Sequence, residues 1–217
     1  QLNAGAMPKI DLQLAQKYAG AAGKARRAVK IEWDDVSDMT PWRYALTIGV
    51  GLEPPASLMR NAGPRYDYMA VAAPMLGLAS RAAAADRAAG HGILSSAAMV
   101  DLYSQIYADQ EISGDWATRA THLRDAYVGS DAEARLAAMR LLWDDATGEP
   151  QRYSRQVLTA YAAARMPVDS GLAASAPDLI ASMLSAGLDQ NAIRWASQAD
   201  VGSLEWAMLA LAAPNRS

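Results

Sequence analysis

The chain has 217 residues, about a fifth of them Ala, with no Cys and no Phe, and a formal net charge of −3. Without Cys there are no disulfides, thiolate metal sites or Cys nucleophile, and a pI near 5.4 argues against a dedicated nucleic-acid binder. Ala is the best helix former and carries no functional group, so the composition predicts an all-α protein with a core of Leu, Ile, Val, Met, Trp and Tyr.

The first helix is predicted from about residue 10 to residue 29, with Leu14, Tyr18, Ala21, Ala25 and Val29 inward and Gly20 and Gly23 weakening it. All four lysines, Lys9, Lys17, Lys24 and Lys30, fall here with Arg26 and Arg27, before the acidic run Glu32, Asp34, Asp35 and Asp38. Such a segment reads most simply as a solvated helix face, with anionic lipid or nucleic acid as the lesser alternative. Thr40-Pro41 is a cap and first turn, while the stretch to Leu52, with Gly49 and Gly51, is compatible with a helix end, a buried loop or a short strand. Pro54-Pro55 forces a new start near Ala56, and a helix pair over residues 66–73 and 75–89 divides at Pro74.

From Ser95 the punctuation is regular. Ser95 caps a helix carrying Met99, Leu102, Tyr103 and Ile106, and Gly114-Asp115 opens one with Trp116, Ala120, Leu123 and Tyr127 on one face. Ser130 and Glu133 have the form of a capping box before the stripe Ala134, Ala137, Ala138 and Leu141. After Gly148 and Pro150, a helix over residues 151–165 is predicted to turn Tyr153, Val157, Ala160, Tyr161 and Ala164 inward. Ser175 and Pro177 open the next, with Ile180, Met183 and Leu184 apolar and Gly187 its stop. Two short helices follow, one with Ala192, Ile193 and Ala196, the other with Leu204, Met208 and Leu211. This spacing predicts antiparallel helix pairs stacked as an α-solenoid-like or irregular helical-repeat array, although no residue signature recurs. An irregular N-terminal half, residues 1–94, and a regular helix-pair half, residues 95–217, are expected to form one continuous unit.

No reactive constellation stands out. His91 sits in Gly-His-Gly between helices and His122 on a polar flank, neither with a companion at metal-ligand spacing. Gly49-Val50-Gly51 lacks the third glycine of a dinucleotide fingerprint, because Pro54 holds that place, and no phosphate loop occurs. No catalytic residue, metal site or cofactor is therefore assigned. Asp34, Asp35 and Asp38, Asp109 and Glu111, and Asp144 and Asp145 are carboxylate clusters with ordinary explanations, except that the last pair sits at the wrong helix end for the macrodipole. The longest apolar run, residues 69–79, is about half of what a bilayer requires, so no membrane span is predicted.

Aromatic residues interleave with Arg in the irregular half. Lacking Phe, the core needs Trp33, Tyr66 and Tyr68, which leaves Trp42, Arg43 and Tyr44, with Arg65 as a neighbour, as the candidate partner-binding surface. The leading expectation is a non-catalytic helical scaffold that binds a protein or peptide, and a first residue other than Met suggests a mature form or a domain of a longer polypeptide. The alternative is the helical part of a glycan hydrolase using Glu32, Glu53 or Glu111 as acid. A binder of nucleic acid or anionic membranes through the basic first thirty residues ranks third.

Overall fold

The computed structural model describes residue 33 and residues 36–60 and 62–212; the predicted helix over residues 10–29 and its lysines lie outside them. Among the described residues there are eleven α-helices, two 3-10 helices and no strand, so the fold is all-α. Two compact units divide within one helix, between Ala85 and Asp86.

In the first unit, α1 (Pro41–Gly49) settles the ambiguous stretch as helix. Pro41 pre-sets the first turn and the Thr40 hydroxyl accepts from the Arg43 N–H at 3.2 Å. Short α2 (Ala56–Met59) follows the proline pair, and α3 (Arg65–Val71) and α4 (Leu78–Gly90) flank the break at Pro74. Tyr44, Ile48, Tyr66, Ala70, Ala73, Leu76 and Ala84 form this unit's core. Gly51 adopts φ +78°, and a Cβ there would lie 2.6 Å from the Met75 carbonyl oxygen, so only Gly lets the chain pass.

The second unit comprises the end of α4, then α5 (Ser96–Ala108), α6 (Asp115–Val128), α7 (Ala132–Asp144), α8 (Glu149–Ala164), α9 (Ala176–Ser185), α10 (Asp189–Ile193) and α11 (Leu204–Ala212). Each of α5 to α9 packs on its successor, and α8 also touches α5 and α6. The expected antiparallel pairing does not hold for α8 and α9: Arg152 near the start of α8 bonds Asp178 near the start of α9, and Thr159 further along α8 bonds Ser182 further along α9, so these two helices run in the same direction, the eleven residues between them leading the chain back. Ala126, Leu136, Met139, Trp143, Ala163, Met166, Leu179, Ile180, Met183 and Trp195 are among the residues of one continuous core. No helix among the described residues is long and apolar enough to cross a membrane.

Several predicted faces differ in detail. In α7 the buried residues are Leu136, Ala138, Met139, Leu142 and Trp143, while Leu141 is 53% exposed: the helix turns its larger side chains inward, because they remove more apolar area from water than Ala134 and Ala137 would. Its cap is Asp131, one residue after Ser130; the carboxylate accepts from the Ala134 N–H at 2.8 Å and from the Ser130 hydroxyl. These bonds, the backbone one first, hold the Asp131 carboxyl below its ordinary value. Ser175 does not cap α9, since its hydroxyl instead accepts from Arg140 Nη2 at 2.5 Å. In α8, Tyr153 and Tyr161 face solvent, while Ser154, Arg155, Leu158 and Thr159 join Val157 and Ala160 inside. Near the C-terminus Trp195 and Leu209 are buried, and Leu204 and Leu211 are exposed.

Candidate functional site

The polar centre of the second unit is built around Arg155, which is 1% exposed. Its position on α8 brings Nη1 to 2.7 Å from Asp86 Oδ1 on α4, and Nη2 to 3.6 Å from Asp145 Oδ2 after α7. Asp86 Oδ1 also accepts from the Tyr103 hydroxyl at 3.1 Å and from Ser154 at 3.4 Å. Asp145 Oδ2 takes Arg119 Nε at 2.5 Å, and the Arg119 guanidinium lies 4.8 Å from the Trp116 ring centre. Asp145 is thus the shared anion of two arginines on α6 and α8, which explains a carboxylate at a helix end that the macrodipole disfavours.

Burial works against the Arg155 charge, but Tyr103, Asp86 and Asp145 around it outweigh that and raise its pKa. The Tyr103 phenol is driven far above its ordinary value, first by burial and then by the Asp86 carboxylate. Beside this group, Trp143 Nε1 donates to the Thr159 hydroxyl at 2.9 Å, and Thr159 donates to the Arg155 carbonyl at 2.9 Å. The cluster is a set of mutually satisfied charges, with Arg155 Nε the exception.

Tyr103 also lines a groove of about 360 Å³ between α5 and α6. Val100, Tyr107, Ala120, Leu123, Tyr127 and Val128 give it apolar walls, and Ser104 and Arg124 are its other polar residues. The Arg124 guanidinium stands 4.9 Å from the Tyr107 ring centre and Arg165 stands 5.8 Å from that of Tyr127. The Tyr127 hydroxyl is buried without a hydrogen-bond partner among the described residues, and burial pushes its pKa up to about 12. A smaller hollow of about 80 Å³ holds Asp115, Thr118, Arg119, His122, Leu141 and Asp145.

In the first unit, the four residues singled out from sequence take different places. Trp42 is 54% exposed and Arg43 half-buried, whereas Tyr44 is 5% exposed and meets Tyr66 edge to face at 4.9 Å. Arg65 Nη2 donates to the Tyr66 hydroxyl at 3.1 Å with its guanidinium 4.8 Å from that ring's centre, so Tyr66 is the hub that joins Tyr44 and Arg65. Tyr66 donates in turn to the Met39 carbonyl at 2.7 Å. Tyr66 and Tyr68 do not share an environment: two residues along a helix point to opposite sides, and Tyr68 is exposed. Glu53 accepts from Ser80, and Glu111 is exposed in the turn after α5; Glu32 lies outside the described residues. Among the described residues no group of three or more His, Asp or Glu converges as a metal site.

No family model matches the chain, and no curated protein or solved structure matches it.

Proposed function

We propose that this protein is a non-catalytic helical scaffold that binds a protein or peptide partner through the exposed start of α1, its helix pairs stacked in the manner of an α-solenoid. The observation that carries the reading is Trp42, a large aromatic 54% exposed beside Arg43 on a helix whose other face is anchored in a core. Trp and Arg are the residues most enriched among interface anchors, and a rigid helix presents them at low entropic cost. Sequential packing from α5 to α9 supports a layered helical array. The charge cluster around Arg155 supports a structural role, since its ions, Arg155 Nε apart, are satisfied by each other.

The test is selection of a displayed peptide library on the purified protein, followed by affinity measurements against Trp42→Ala and Arg43→Ala. Enriched peptides should lose at least about fivefold in affinity with Trp42→Ala, while that variant's thermal stability stays within about 0.5 kcal/mol of wild type. No enrichment, or peptides indifferent to both substitutions, would overturn the reading.

A further inference from the structure

α11 carries an apolar row on the side away from its own core. Leu209 seats the helix against the core, α9 and α10 pack on it, and the Ser203 hydroxyl accepts from the Trp206 N–H at 3.2 Å to fix its first turn. On the opposite side Leu204 is 66% exposed and Leu211 is 73% exposed, with Ala207 and Met208 half-buried between them. These four positions follow i, i+3, i+4 and i+7, so they form one continuous row. Val201 extends the row from the turn before the helix, and the one charged residue of α11, Glu205, falls outside it.

Two leucines held in water on an anchored helix forgo the free energy of their burial, and such a row marks an interaction surface. The order of its side chains says which partner fits. Leu204, Ala207, Met208 and Leu211 have a leucine at each end and a small and a large residue at the centre, so the row reads nearly the same in both directions. Turned end over end, Leu204 meets Leu211 of the other copy, and Ala207 of each makes room for Met208 of the other. A two-fold axis through the middle of α11 thus makes the row complementary to itself. No charge on it repels its own copy, and none selects an unlike partner.

We infer that α11 pairs antiparallel with α11 of a second copy of this chain, forming a weak two-fold dimer. Two such rows bury at most about 1,000 Å² in total, near the lower limit for a specific interface, which sets the dissociation constant on the order of 100 µM. The row belongs to the second unit and Trp42 to the first, so this goes beyond partner recognition at Trp42 and stands without it.

Sedimentation equilibrium of the full chain from about 5 to 500 µM tests it. The mass should rise from one copy toward two and stop there. Leu204→Glu and Leu211→Lys each put a charge at an exposed position, of the sign that its end of the helix dipole favours. Each should therefore keep the wild-type melting temperature and weaken dimerisation at least about tenfold. An equal mixture of the two variants should regain dimer, because antiparallel pairing sets the new carboxylate of one against the new ammonium of the other. Trp42→Ala should leave the mass unchanged at every concentration. A single-copy mass throughout, association that continues past two copies, a dimer that survives both Leu204→Glu and Leu211→Lys, a mixture no more dimeric than its components, or a dimer lost with Trp42→Ala would each overturn the inference.

Discussion

Arg155 Nη1 and Asp86 Oδ1 lie 2.7 Å apart across 69 residues of sequence, and this pair ties the last turns of α4 to the middle of α8. Asp86 has a side chain only 12% exposed, and its one oxygen also serves Tyr103 and Ser154. Desolvating both ions is costly, so the pair contributes little net stability while making the loss of either partner expensive.

Asp86→Ala should therefore destabilise the protein by about 3–5 kcal/mol, because Arg155 would retain only the longer contact to Asp145. Arg155→Met should cost a similar amount. The double variant Asp86→Ala with Arg155→Met should fall well short of the sum, since no uncompensated charge is left behind. Urea unfolding of the four proteins gives the coupling energy directly. Additivity within about 0.5 kcal/mol would show that the two residues do not act as a unit.

How much of this was legible in the sequence differs by level. Helix existence from Ser95 onward followed from capping residues and periodicity, which are local. Arg155 was not legible, because Arg is normally a surface residue and its partners Asp86 and Asp145 come from other helices. The signals that pointed to it were Asp145 at a helix end that disfavours it and the apolar neighbours Leu158 and Ala162 on the same side of α8 as Arg155. The groove was half legible: Tyr103, Ala120, Leu123 and Tyr127 appear in the predicted stripes, but only the packing of α5 on α6 reveals that those stripes do not close completely. Tyr44 was misplaced as surface because its burial depends on Tyr66, 22 residues onward on another helix.

The orientation of α7 gives a direct contrast between the predicted and observed stripes. Leu141→Lys should change stability by less than about 0.5 kcal/mol, since Leu141 is on the solvent side. Met139→Lys, at a fully buried position of the continuous core, should unfold the protein or cost more than about 4 kcal/mol. Chemical denaturation monitored by Trp fluorescence decides between them. A destabilising Leu141→Lys with a tolerated Met139→Lys would restore the predicted stripe.

Two glycines with the same backbone handedness separate conformational strain from steric clash. Gly92 has φ +71° and open space where a Cβ would point, so Gly92→Ala should cost about 1 kcal/mol from the left-handed conformation alone. Gly51 has φ +78° and the Met75 carbonyl oxygen 2.6 Å from where a Cβ would sit, so Gly51→Ala should cost at least about 2–3 kcal/mol. Comparing the two melting temperatures tests the close approach of residue 51 to Met75. Equal losses would mean that the backbone there has room to move.

The Tyr127 phenol gives a pH-dependent prediction whose sign is fixed by its burial. Its pKa rises from 10.0 to about 12 in the folded chain, so between those values the unfolded chain has lost a proton that the folded chain keeps. Stability from this group is therefore complete below pH 10 and declines as the pH rises toward 12. Tyr127→Phe removes the titration and the unpartnered hydroxyl together. The variant should match or slightly exceed wild type at pH 8, then gain about 1–3 °C in relative melting temperature by pH 11. Melting curves at pH 8, 10 and 11 measure it, and a difference independent of pH would show that the Tyr127 hydroxyl reaches water in the folded state.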